Sequence, residues 1–402
     1  MKFSLVGVSR VLFLVVCLRT FGGTPDRDEV EEAQVDEDAG VPVIRGADVG
    51  RAINGARRGS MRIRLVASLC AMTVVSIFVS LTAVSFAGQV ESWKVPRTVD
   101  GQPDLQGVWA NNNVTPLERP DVLAGRETLT DEELAALRVR ASELFSTESG
   151  DAAFGDSVFA AVLAEVEDFS SRDTATGNYN HFWMVERDWN NRTSLVIDPP
   201  DGRLPSRTAA AAARLAERAE ARRRHAWGPE DRSLGERCIS WGVPRLGAGY
   251  NSYSQIFQSQ DYVVIYMEMG GARVVPLDGR PHIDESVRQQ HGNSRGHWDG
   301  DTLVVETTNY AGASYFMGSR DNLHLVERFT RVSEDVLRYE VTVTDLTTWT
   351  APWTAMIPLR RSPDAIFEYA CHEGNIGMEG IMAGARVLEK AEAESVKAGG
   401  LK

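Results

Sequence analysis

The chain lacks the short motifs by which common enzymes announce themselves. Its 402 residues hold no P-loop, no dinucleotide fingerprint and no zinc-protease helix. These absences count against kinase, dehydrogenase and metalloprotease readings. Positive charge is also short, with 43 Lys and Arg against 56 Asp and Glu, a net charge of −13. A surface this acidic repels nucleic acid and anionic lipid. The basic run Arg222-Arg223-Arg224-His225 closes an Ala-rich helical stretch interleaved with Glu217 and Glu220, which reads as a solvated helix face. Cysteine is scarce too, four residues in all, and no internal repeat stands out.

Residues 1–60 read as neither a domain nor a clean targeting signal: Arg10 and Arg19 interrupt the first apolar run, and an acidic, featureless stretch follows. The pattern changes at Met61. Arg62 and Arg64 precede an apolar run over 65–84, and Ser85-Phe86-Ala87 offers small residues where a signal peptidase cuts. This predicts a signal peptide over 61–87, with Met61 as the true start and 1–60 as a disordered, over-extended leader. A retained membrane anchor is the alternative, because the run is long enough to span a bilayer. Leu69 stands before Cys70 where a lipoprotein signal needs a small residue. The expectation is therefore a periplasmic or secreted protein with no stable membrane insertion after cleavage.

Residues 253–372 carry the strongest pattern. In 337–345, Leu337, Tyr339, Val341 and Val343 alternate with Arg338, Glu340, Thr342 and Thr344, which predicts a strand buried on one face. Trp353, Ala355, Ile357 and Leu359 share a face of the next segment, and Phe367, Tyr369 and Cys371 share a face of the last. Segments 262–269 and 302–309 are β-rich on both faces and predict strands covered on both sides. Asp278-Gly279 and Asp299-Gly300 read as hairpin turns, and Ser333-Glu334-Asp335 as a third turn. With a strand at 254–258, this gives about eight or nine short strands in up-and-down order, an order that favours closure into a barrel because closure removes exposed edges.

Ahead of the meander the chain reads as helical. Thr130 and Glu133 form a capping box before the stripe Leu134, Leu137, Ala141 and Leu144. A second amphipathic pattern runs over 158–169, a short strand over 194–198 stops at Pro199-Pro200, and the Ala-rich helix follows. The predicted organisation is a strand plus helical insertion over 88–236, an antiparallel β-barrel core over 237–376, and a C-terminal helix and tail over 377–402.

For chemistry, three carboxylates stand in apolar strands, Glu268, Glu306 and Glu327. Burial would raise their pKa and suit them to acid–base work, while cross-strand pairing with Arg328, Arg331 or Arg338 is the plainer alternative. His372 and Glu373 end the last predicted strand, a rim position suited to an acid–base or ligand-orienting pair. Trp241, Tyr253, Tyr266, Tyr310, Trp349 and Trp353 are candidates to floor a pocket, or else simply the core of a β-protein. His282, His291 and His297 fall within sixteen residues, but no two have a tight ligand spacing. No metal and no cofactor is called for. Cys238 and Cys371 alone remain after signal removal, which predicts a disulfide in an exported protein.

Two resemblances add to this. Gly107-Val108-Trp109 resembles the first-strand Gly-x-Trp of lipocalins and related calycin barrels, which implies a Trp closing one barrel end against Arg360 or Arg361. The blocks 101–109, Arg237-Cys238, 298–309, 327–330, Thr348-Trp349-Thr350 with Pro352-Trp353, and 368–375 are similar to a large family of secreted bacterial proteins of soil acidobacteria and marine proteobacteria. That resemblance implies export and a single unit after residue 93, and it supplies no catalytic residues. The expected protein is a mainly β, calycin-like barrel binding a small hydrophobic or aromatic ligand. The alternative is a cofactor-independent lyase, isomerase or hydrolase using Glu268, Glu306, His372 or Glu373.

Overall fold

The computed structural model describes residues 93–146, 151–167, 169–170, 187–223, 226, 228–312 and 316–399. The predicted leader and signal peptide, 1–87, lie outside the described residues. Among the described residues no helix is long and apolar enough to cross a membrane.

Ten strands form one antiparallel sheet: β1 Gly107–Ala110, β2 Val196–Asp198, β3 Tyr253–Gln258, β4 Tyr262–Met267, β5 Gly271–Pro276, β6 Asn293–Asp299, β7 Thr302–Thr308, β8 His324–Arg331, β9 Val336–Thr344 and β10 Trp353–Ser362. Their order is β5-β4-β3-β1-β10-β9-β8-β7-β6, with β2 added alongside β10. Two meanders, β3 to β5 and β6 to β10, are thus joined through the short strand β1. Trp109 is carried on that strand into the centre of the sheet.

Period two sorts the side chains of each strand onto two faces, and packing makes one of them dry. Along β9, Leu337, Tyr339, Val341 and Val343 are all buried, and along β10 so are Trp353, Ala355, Ile357 and Leu359. Each buried Val, Leu or Ile among them contributes about 1.5–3 kcal/mol. On β7 the dry side holds Leu303, Val305 and Thr307, while Thr302 and Val304 on the other side are buried as well. The Asp299-Gly300 turn joins β6 to β7 with Asp299 opposite Thr302, and Gly300 takes the positive φ of 59° that this tight connection needs.

Two expectations are corrected. The sheet is not closed into a barrel by hydrogen bonds: β5 and β6 are its two edges, and Asp278-Gly279 begins a connection over 277–292 instead of a hairpin. The edges nonetheless approach each other. A Cβ on Gly296 of β6 would lie 2.7 Å from Val275 and 2.8 Å from Leu277, so apolar side chains occupy the seam where a ladder would otherwise run. Residues 367–371 also form no strand, and Phe367 is 78% exposed.

The helices are α1 Asp131–Leu144, α2 Asp156–Leu163, α3 Ala209–Arg223 and α4 Gly377–Gly399. The capping box of α1 is complete, Glu133 N–H donating to Thr130 Oγ1 and Thr130 N–H to Glu133 Oε2. The second helix stops at Leu163, short of the apolar pattern, where Glu165 adopts a positive φ of 55°. Phe145, Val158 and Val162 gather with Ala141 and Val114 into a small core separate from that of the sheet.

Candidate functional site

The dry side of the sheet encloses a charge pair. Arg273 on β5 and Glu327 on β8 make a forked contact, Nη1 to Oε2 at 2.6 Å and Nη2 to Oε1 at 3.1 Å, with both side chains at most 4% exposed. Tyr339 on β9 donates its hydroxyl to Glu327 Oε1 at 2.8 Å. Period two aims all three inward, and the fork satisfies each carboxylate oxygen. Burial and the neighbouring Glu327 charge push the Tyr339 phenol well above its usual range, so it stays a donor. Burial alone would lower the Arg273 guanidinium, but Glu327 outweighs it and the net shift is upward. The pair borders a cavity of about 60 Å³ lined by Trp109, Ile256, Ile265, Phe329, Arg245 and Tyr253, among others. Trp109 itself lies between Arg331 and Arg361, whose guanidinium carbons are 5.7 and 5.9 Å from its ring centre. Arg360 instead faces Asp188 at 3.7 Å.

A second, larger hollow of about 260 Å³ opens beside the disulfide. Cys238 and Cys371 are bonded, with Cα atoms 5.6 Å apart, as the cysteine count predicts. This bond carries the segment after β10 to the loop before β3. One cleft therefore receives Trp241, Tyr266, Glu268, His372 and Glu373, all singled out from the sequence, along with Ser240, Glu368 and Tyr369. The tertiary fold thus assembles five scattered candidates in one place.

Glu268 follows β4 directly, and its N–H continues the ladder to Tyr253 O at 3.0 Å. Its neighbours Met267 and Met269 face the core, which turns the carboxylate to the opposite side, the cleft wall. Burial raises its pKa above the ordinary carboxylate value, against the opposing pull of a Tyr253 backbone hydrogen bond and the Arg245 charge. Its Oε2 is shielded from solvent and has no hydrogen-bond partner, and the same holds for Nη1 of Arg245. Burial lowers the Arg245 pKa.

The remaining candidates lie elsewhere. Glu306 is not buried: it projects from the outer side of β7 at 48% exposure, with His324 Nε2 at 2.7 Å and His282 Nε2 at 3.8 Å from its oxygens. The misreading comes from period two, which separates the faces of a strand without saying which one is dry. Tyr310, Trp349 and Trp353 are 1%, 0% and 0% exposed and belong to the core, not to a pocket floor. The edge-to-face contact of Trp349 and Trp353, centroids 5.6 Å apart, accounts for both. Glu327 takes the ion-pair role, but with Arg273 instead of its neighbours in sequence.

His282, His291 and His297 do not converge. His282 Nδ1 contacts Asn293 Oδ1 at 3.2 Å, and His291 Nε2 contacts Ser240 Oγ at 2.7 Å. Among the described residues no group of three His, Cys, Asp or Glu side chains is arranged to hold a metal ion. Sequence reasoning missed Arg245, Arg273 and Ser240. Polar residues inside otherwise apolar strands give a signal for Arg273, since a strand Arg in the inward register needs a buried acid, but loop residues such as Ser240 and Arg245 have no period to read. No family model, curated protein or solved structure matches the chain.

Proposed function

We propose that the protein binds a small ring compound carrying an O–H or N–H donor in the cleft beside the Cys238–Cys371 disulfide. One observation carries this reading: Glu268 lines a hollow walled by Trp241 and Tyr266 and keeps one carboxyl oxygen without a partner. That oxygen is itself shielded from solvent, so a ligand donor that reaches it relieves the cost of its lost hydration, and the flat rings beside it suit an aromatic or sugar-like face. The volume fits. A cavity of about 150 Å³ accepts benzene, so about 260 Å³ takes one substituted ring. The disulfide is compatible with an oxidising compartment, which supports export to the periplasm or beyond.

Binding is tested by isothermal titration calorimetry against a panel of phenols, aromatic amines and monosaccharides. Glu268→Gln lowers the affinity of a hit about tenfold, the loss of one strong hydrogen bond, with the folded state intact. A hit whose affinity is the same in Glu268→Gln and Trp241→Ala removes the reading, and so does a panel without hits.

The raised acid of Glu268 favours a second reading. Burial raises its pKa, the direction that suits a carboxyl to give and retake a proton during turnover, and His372 and Glu373 lie on the same wall. Under that reading the protein is a cofactor-independent lyase, isomerase or hydrolase, and the bound ring compound is consumed instead of held.

A further inference from the structure

We propose that Ser240 and His291 form a nucleophile–base pair that gives the cleft an acyl-transfer activity toward small neutral or cationic aryl esters. The Ser240 hydroxyl oxygen is 2.7 Å from His291 Nε2, the separation at which an imidazole takes a hydroxyl proton. Ser240 is only 6% exposed and lines the cleft, so it is shielded from bulk water on the side where a ligand would lie. The Gly242 N–H donates to Oγ at 2.9 Å, and in the tautomer with Nε2 unprotonated the hydroxyl hydrogen goes to that nitrogen. Burial, helped by the Arg273 charge, lowers the His291 pKa, so the ring is neutral at pH 7 as a base must be.

A Ser–His contact can also serve only to fix a loop. Here the loop is already fixed by the Cys238 disulfide and by the Ile239 N–H bond to Leu234 O, so the pair is not needed for that purpose. The walls define the substrate class. Trp241 and Tyr266 offer flat apolar surface, while Glu268, Glu368 and Glu373 bring acid and no Arg or Lys lines the hollow, an electrostatic setting that turns anions away.

In the step this geometry supports, Oγ bonds to the ester carbonyl carbon as its proton passes to Nε2, and the carbonyl π pair moves onto oxygen. Collapse of that intermediate breaks the bond from carbon to the leaving oxygen, which takes the proton from Nε2 and departs as an alcohol or phenol. Water then attacks the acyl-serine with His291 again accepting the proton, and the acid leaves with Ser240 restored. The sequence around Ser240, Cys238-Ile239-Ser240-Trp241-Gly242, has no elbow motif, so only the fold reveals the pair.

The inference shares its cleft with the binding reading but rests on different atoms. The test is a fluorophosphonate probe, which labels an activated serine with loss of fluoride, applied to the purified folded protein and mapped by peptide mass spectrometry. One adduct on Ser240 is expected, absent from heat-unfolded protein and from Ser240→Ala. In His291→Gln the labelling rate and the hydrolysis of p-nitrophenyl acetate fall by about a hundredfold or more. Labelling and ring-compound binding are read separately on the wild-type chain, so binding without an adduct on Ser240 overturns this inference alone, and an adduct without binding overturns the binding reading alone. An unlabelled folded wild type, or an adduct on another residue, overturns the proposal, as does an undiminished rate in His291→Gln. Because the mapping is done on the wild-type chain, a variant that fails to fold does not blunt it.

Discussion

Replacing Glu327 by Gln should cost about 3–5 kcal/mol, because it keeps the shape of the side chain and removes the charge opposite a buried guanidinium. The magnitude follows from the setting. Arg273 and Glu327 are 4% and 2% exposed, so loss of the partner leaves Arg273 charged in a nearly dry setting. Exposed pairs in the same protein, such as Arg97 with Asp301 at about half exposure, contribute only about 0–1 kcal/mol. A domain is stable by about 5–15 kcal/mol, so the buried change removes a large share of the whole. Urea unfolding followed by tryptophan fluorescence measures it, with nine Trp as reporters. The companion variant Arg273→Met/Glu327→Leu/Tyr339→Phe replaces the pair and the donor that serves it with apolar groups. It should recover most of the loss, since an apolar replacement of a buried pair avoids the desolvation of both charges. The reasoning fails if Glu327→Gln lies within about 1 kcal/mol of wild type, or if the triple variant is no more stable than Glu327→Gln.

The disulfide spans 133 residues, so Cys238→Ser should lower stability by about 5 kcal/mol in the chain-entropy model. Thiol titration of the unfolded, unreduced chain should find neither Cys238 nor Cys371 reactive, and reactivity at both would show them unpaired. Asp345 accepts hydrogen bonds from Ser319 Oγ, Thr347 Oγ1 and Thr348 Oγ1 at 2.6 to 2.7 Å, tying the turn after β9 to the segment before β8. Burial pushes its pKa up, but these donors outweigh burial and hold it below the usual value. Its contribution is therefore present above about pH 4, the unfolded value, and is lost as pH falls through the lower folded value. Asp345→Asn should be less stable at pH 7 by roughly 1–2 kcal/mol and show a flatter acid limb; a limb as steep as that of wild type would place the acid sensitivity elsewhere.

Local pattern settled most of the strands, the Asp299-Gly300 turn and the cap of the first helix. Leu337, Tyr339, Val341 and Val343 share a face whatever the fold, since alternation belongs to the extended backbone, and Thr130 with Glu133 closes a helix end through contacts three residues apart. The scarcity of cysteine likewise pointed Cys238 to Cys371, and the two are bonded. What the pattern could not say is which of two alternating faces is dry, and that turned Glu306 outward and Tyr310, Trp349 and Trp353 into core. Nor could it say how the edges end. Val275 and Leu277 filling the seam at Gly296, in place of a ladder, is a matter of side-chain volume between strands about twenty residues apart in sequence. The pairing of Arg273 with Glu327, the meeting of Ser240 with His291, and the cleft that joins Trp241 and Glu268 to His372 are long-range juxtapositions. Sequence supplied those residue types, and only the curl of the sheet and the disulfide brought them together, because neither alternation nor spacing carries information about contacts closed through the third dimension.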